Sequence, residues 1–162
     1  MDNSISIIIS NNLRSLEYLN VFIKLKKEPN KVIYIDDNKN KLTRKKIIKI
    51  LYIKKNFKNK KKFISKKFSP LIIEYLLRDK EKNFVLSLPH GEIIKNHKLL
   101  KNKNLIHFHP GRLPLFRGAT SIYYSLLRKK EICCSTIIMS ANLDGGNLLF
   151  HKQFIFPKEI RN

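Results

Sequence analysis

Glycine is missing from the first ninety residues. All five glycines (91, 111, 118, 145, 146) and all five histidines (90, 97, 107, 109, 151) lie in the second part of a 162-residue chain. The turn after the first predicted strand, Ser10-Asn11-Asn12-Leu13, therefore carries neither a GxGxxG fingerprint nor a P-loop. That excludes a dinucleotide or nucleoside triphosphate held in the usual glycine-rich way. Long apolar runs are also missing. None approaches the ~18–20 residues of a membrane span. The start, Met1-Asp2-Asn3-Ser4, has no basic segment, and Ile5–Ile9 is too short for a signal-peptide core. The expectation is a cytoplasmic protein with no membrane partner. Cysteine is limited to Cys133 and Cys134. Neighbours on a strand point to opposite faces, so a disulfide between them would be strained, which fits a reducing compartment.

Acidic residues are few: 12 Asp+Glu stand against 34 Lys+Arg, a formal charge of +22. Such a balance points towards nucleic acid. Yet most of the excess is Lys, accompanied by abundant Ile and Asn, as in proteins from AT-rich genomes. That codon bias and a solvated basic face are the preferred explanation, ahead of nucleic-acid binding. The charge is localised. Lys39–Lys67 holds fourteen basic residues and no acidic one. Tyr52, Phe57, Phe63 and Phe68 interleave with these lysines, as on nucleic-acid surfaces.

What remains is a regular alternation. Ser4–Ser10 reads as a strand buried on both faces. Asn11 or Asn12 caps a helix running to about Lys27, with Leu13, Leu16, Leu19 and Ile23 at helical spacing. Lys31–Asp36 is a second strand, parallel to the first through a right-handed crossover. Lys45–Ile53 forms a short basic helix followed by a lysine-rich stretch. Ser69-Pro70 opens a helix through Leu77. Asn83–Ser87 is a strand, Glu92–Leu100 a helix and Leu105–His109 a strand. Ala119–Arg128 is a helix with Ile122, Tyr123, Leu126 and Leu127 on one face. Ile132–Ser140 and Leu148–Phe156 are strands. The fold class is α/β: one Rossmann-like domain, 1–162, doubly wound around a mostly parallel sheet.

Chemistry concentrates after residue 104. His107 and His109 stand two apart on a strand, so both point to the same face. Pro110, Gly111 and Pro114 then turn the chain out of the sheet, placing the pair at a carboxyl strand end, where open α/β sheets bind ligands. The irregular segment 141–147 (ANLDGGN) brings Asp144 as one carboxylate. On composition alone His107, His109 and Asp144 also read as a two-histidine, one-carboxylate metal site of a hydrolase.

The stretch NLIHFHPGRLPLFRGATSIYYSLLRKKEICCSTIIMSANLDGGNLL resembles the core of the folate-dependent formyltransferases, over about residues 83 to 150. That family includes glycinamide ribonucleotide transformylase, methionyl-tRNA formyltransferase, sugar-amine N-formyltransferases and formyltetrahydrofolate deformylase. Its pattern is Asn-x-His, Leu-Pro, a Gly, a helix, a strand, then Asp-x-Gly. The resemblance implies an enzyme that moves a formyl group from 10-formyltetrahydrofolate, as cosubstrate, to a primary amine. It implies His109 and Asp144 as catalytic residues, with His107 at the position of the family's Asn. The loop Leu88, Pro89, His90, Gly91, Glu92, Ile93 matches the backbone-lined slot for the pterin. Arg112 and Arg117 flank the site loop and are candidates for binding substrate phosphate or carboxylate, or surface charges. Among acceptors, an amino sugar on a nucleotide carrier is preferred, with initiator tRNA, engaged through a basic insert at 39–67, as the alternative. A metal-dependent hydrolase and an inactive basic RNA-binding module are the readings from other classes. Only about 16 residues follow Gly146, so the implied catalytic domain is short at its C-terminus.

Overall fold

The computed structural model describes residues 5–58, 60–118 and 120–155. Ser4, Ala119 and Phe156, which three of the expected elements include, lie outside the described residues. The chain forms two compact units, 1–103 and 104–162.

The first unit is a parallel α/β layer. Its strands β1 (Ser6–Ser10), β2 (Lys31–Ile35), β3 (Lys61–Ser65) and β4 (Asn83–Ser87) lie in the order β3-β2-β1-β4. All three pairings are parallel, with Ile8 opposite Ile33 and Leu86. β1 is buried at every residue, as its unbroken apolar run requires. Ile7, Ile9, Val32 and Tyr34 face a core with Leu19 of α1 (Leu13–Lys24), Ile47 and Leu51 of α2 (Lys41–Ile53), and Phe57 of α3 (Lys55–Lys58). Alternate strand residues point the other way. There Ile72 and Leu76 of α4 (Pro70–Arg78) and Leu99 of α5 (His97–Asn102) are fully buried. Helices thus cover both faces.

Several expectations change here. The lysine-rich stretch contains an edge strand, β3, which its charge concealed. Lys61 and Lys62 belong to it, and Phe63 stacks on Tyr75 with ring centroids 4.8 Å apart. Lys39–Lys67 is therefore a helix–helix–strand crossover of the layer. Phe57 is a core residue and Phe63 stacks inside the unit, whereas Tyr52 is exposed. The expected helix 92–100 is reduced to α5. Asn96 caps it by accepting from the Leu99 N–H at 2.8 Å, which starts the helix five residues later. Leu13 is exposed, and α1 packs through Leu19. Ser69 occupies the N-cap of α4 without a side-chain cap bond, Pro70 following it.

The second unit is antiparallel. β5 (Asn104–Pro110) pairs with β6 (Ile132–Met139), and β6 with β7 (Gly146–Phe154). In the only helix here among the described residues, α6 (Ser121–Lys129), the expected apolar face is half realised, with Ile122 and Leu126 half-buried. Tyr123 and Leu127 are exposed, while Ser121 and Ser125 are buried. The small hydroxyls let the helix approach closely and cap local carbonyls: Ser121 donates to Pro110, and Ser125 Oγ to Glu131 at 2.8 Å. Among the described residues no helix is long and apolar enough to cross a membrane.

Candidate functional site

β5 delivers the histidines as its alternation requires. Their ring centroids lie 6.2 Å apart with the planes tilted by 54°. His109 is buried, at 2% exposure, and His107 half-buried. The loop that follows is braced onto β6. Ser135 Oγ donates to the Gly111 carbonyl at 2.6 Å and accepts from the Leu113 N–H at 3.0 Å. Leu113 and Phe116 are buried and pin it further.

Asp144 arrives from the turn between β6 and β7. Ser140 N–H donates to Gly145, and Gly145 N–H to Asn142, at 3.2 and 3.0 Å. Gly146 has φ +126°, and a Cβ there would stand 2.0 Å from the Ile138 carbonyl oxygen. Only glycine fits. Asp144 itself takes φ +46°, a left-handed conformation that Asp tolerates.

The carboxylate is held at both ends. Oδ2 accepts the Gly118 N–H at 2.6 Å, and Oδ1 lies 3.4 Å from His109 Nδ1. The other ring nitrogen, Nε2, donates to the Phe116 carbonyl at 2.7 Å. A carbonyl only accepts, so Nε2 carries a proton. Nδ1 faces the carboxylate. Nδ1 is therefore the atom at which this pair can give up or collect a proton beside a fixed negative charge.

The two arginines differ. Arg112 Nε donates to Glu131 Oε1 at 2.8 Å, so an ion pair already engages it, while Arg117 is exposed. Burial pushes both cysteine thiols up, Cys134 further through its neighbour Cys133, so neither is primed as a nucleophile. His107, His109 and Asp144 together present one ligand atom each within 4.8 Å of one another.

The expected pterin loop belongs to the first unit. Leu88 is buried, His90 exposed and Ile93 exposed at 54%. Gly91 takes φ +81° with open space where a Cβ would stand. Glycine leaves the backbone at this one position unshielded by a side chain.

A polar hub supporting this loop escaped sequence reasoning. Asn12 Oδ1 accepts from Ser15 N–H and from Ser87 Oγ, both at 2.8 Å, and its Nδ2 donates to the Leu88 carbonyl at 3.0 Å. Ser10 Oγ and Ser15 Oγ add bonds to Ser87. Beside it, Asn11 Nδ2 donates to Asp36 and Asp37, each at 2.9 Å, and Asn11 Oδ1 accepts from the Tyr34 hydroxyl. Arg44 forks onto Asp36 at 2.7–2.9 Å. The Arg44 hydrogen bonds hold the Asp36 carboxyl below its usual range despite partial burial. The only signal in the sequence was the polarity of Ser10-Asn11-Asn12 at the end of an otherwise apolar strand.

No family model matches the chain. The methionyl-tRNA formyltransferase of Sulfurovum sp. is 30% identical over 90 residues, covering 55% of this chain and 29% of that protein. The chain thus matches under a third of the length of this curated relative. Among solved structures, a sugar N-formyltransferase from Shewanella superposes with a TM-score of 0.66 at 19% identity, over 94% of this chain and 58% of that one. Phosphoribosylglycinamide formyltransferase from Bacillus halodurans gives 0.68 at 15% identity, over 97% and 82%. The fold expected from the alternating pattern is thereby shown, and in sequence and in fold the chain is similar to formyltransferases.

Proposed function

We propose that the chain transfers a formyl group from 10-formyltetrahydrofolate to a primary amine. The observation that carries this reading is the buried His109–Asp144 pair, with Nδ1 facing Oδ1 at 3.4 Å and the carboxylate fixed by the Gly118 N–H. In the reaction the amine nitrogen attacks the formyl carbon. The new C–N bond forms, the bond from carbon to N10 of the folate breaks, and the amine's proton must reach N10. The His109 Nδ1 and Asp144 pair is the relay for that proton. Nε2 is committed to Phe116, so the ring acts through Nδ1. His107 is the side chain assigned to the developing oxyanion, where one well-placed donor lowers the barrier by ~3–4 kcal/mol. The loop Leu88, Pro89, His90, Gly91 and Ile93 is assigned to the pterin, supported by its open backbone at Gly91.

The preferred acceptor is an amino sugar on a nucleotide carrier, the class named by the Shewanella neighbour. A second acceptor is favoured by a separate observation. The Sulfurovum relative is named a methionyl-tRNA formyltransferase, and the acid-free stretch Lys39–Lys67 suits an RNA backbone. Arg117 is the exposed candidate for an acceptor phosphate. The test offers 10-formyltetrahydrofolate with a panel of nucleotide-linked amino sugars and charged initiator tRNA, reading the added formyl mass on the acceptor. Formylation of one panel member is expected. Saturable folate binding without transfer to any amine would remove the proposal.

A further inference from the structure

We propose that His107, His109 and Asp144 form a binding site for a divalent transition-metal ion of the zinc type, and that the ion and formyl transfer exclude one another. The three side chains place one donor atom each within 4.8 Å of the others. Zinc held by nitrogen and oxygen at ~2.0–2.1 Å in a tetrahedron separates its ligand atoms by ~3.3–3.4 Å. His109 Nδ1 and Asp144 Oδ1 already stand 3.4 Å apart, the edge of that tetrahedron. His107 offers the third donor atom within 4.8 Å of the other two, its ring plane inclined at 54° to that of His109.

The outer contacts of both fixed ligands are those a metal site needs. Nε2–H of His109 is anchored on the Phe116 carbonyl at 2.7 Å, which directs Nδ1 inwards as the ligand atom. Asp144 Oδ2 is held by the Gly118 N–H at 2.6 Å, leaving Oδ1 to the ion. Two imidazoles and one carboxylate are the donor set that zinc accepts readily, with a fourth position left for water. His107 is decisive. An amide at 107, as in the family pattern, is a poor ligand for such an ion, and an imidazole is a good one.

The consequence follows from shared atoms. An ion on Nδ1 and Oδ1 occupies the atoms between which the relay proton moves. Binding therefore silences the relay, and removing the ion restores it. Metal binding stands on geometry alone; the inhibitory arm also rests on the formyl-transfer reading.

The experiment uses the full chain, stripped with a chelator and titrated with Zn2+ against a chromophoric competitor. Co2+ is titrated in parallel to read coordination geometry from its visible absorption. One ion per chain and an intense tetrahedral Co2+ spectrum are expected. His107→Asn should weaken zinc more than tenfold, and Asp144→Asn likewise, with thermal melting confirming that each variant folds. His97→Asn, at an exposed position of α5 outside the triad, should bind as wild type does. Substoichiometric zinc, or His107→Asn binding as tightly as wild type, overturns the site. Stoichiometric zinc that leaves formyl transfer untouched overturns the exclusion. Stoichiometric zinc with no formyl transfer under any condition overturns the catalytic reading and the exclusion, and leaves the site standing.

Discussion

Replacing Gly146 with alanine tests how the turn presents Asp144. The residue holds φ +126°, where an L side chain costs ~1–3 kcal/mol. The added Cβ would also stand 2.0 Å from the Ile138 carbonyl oxygen, with Ser140 N at 3.0 Å. Both obstacles are backbone, and Ile138 is paired with Ile106 on one side and Asn147 on the other. Neither can yield without disturbing the β6 ladder or the Ser140–Gly145 hydrogen bond. The sum is ~3 kcal/mol, or a Tm drop of about 6–12 °C for a chain of this size. Gly91→Ala is the control. It also has positive φ, +81°, but its Cβ meets nothing within 4 Å, so the backbone preference alone applies, ~1 kcal/mol. Thermal melting and urea unfolding of the two variants read the difference directly. Formyl transfer should fall more than tenfold in Gly146→Ala, because relief of the clash moves Asp144 off His109 Nδ1. Equal melting temperatures for the two variants would refute the steric reasoning. Undiminished turnover in a destabilised Gly146→Ala would separate the turn from catalysis.

Other expectations are as specific. Phe57→Ala should cost ~3–5 kcal/mol in urea unfolding, since the ring is fully buried. A cost below 1 kcal/mol would mean that the basic crossover is not integrated with the first unit. Arg44→Gln removes the hydrogen bonds that depress Asp36. A depressed carboxyl contributes stability that is present above its unfolded pKa and is lost as pH falls through the folded one. The wild-type advantage over Arg44→Gln should therefore shrink as pH drops below about 4, and a constant difference across pH would contradict the pairing. Asn12→Asp keeps the cap of α1 but not the donor to Leu88. It should melt near wild type yet bind a 10-formyltetrahydrofolate analogue more weakly, whereas Asn12→Ala should also lose ~1 kcal/mol of stability. Identical folate affinity in Asn12→Asp would detach the hub from the loop.

Legibility followed the strength of each physical signal. β1 was readable because Ile7, Ile8 and Ile9 are apolar on both faces, and β5 because His107 and His109 flank a strand end closed by Pro110 and Gly111. The His109–Asp144 pair was anticipated through the resemblance of the Leu-Pro and Asp-Gly-Gly segments to the folate-dependent formyltransferase core. β3 was hidden because Lys61, Lys62, Lys66 and Lys67 mask a short apolar core, Phe63-Ile64, and an edge strand needs only one neighbour. α6 misled because its larger apolar residues, Tyr123 and Leu127, point outwards while serines pack. The hub at Asn11, Asn12, Ser15 and Ser87 was invisible because it joins residues more than seventy positions apart through hydroxyl and amide groups with no periodicity. The Arg112–Glu131 pair, likewise, is a matter of tertiary geometry.

The most direct test compares wild type, His109→Ala and Asp144→Asn in single-turnover formyl transfer from 10-formyltetrahydrofolate to whichever amine the panel identifies, with folate binding and melting measured on the same samples. The account predicts that both variants fold and bind the folate but lose transfer by at least a hundredfold. Wild-type transfer rates in either folded variant would contradict it.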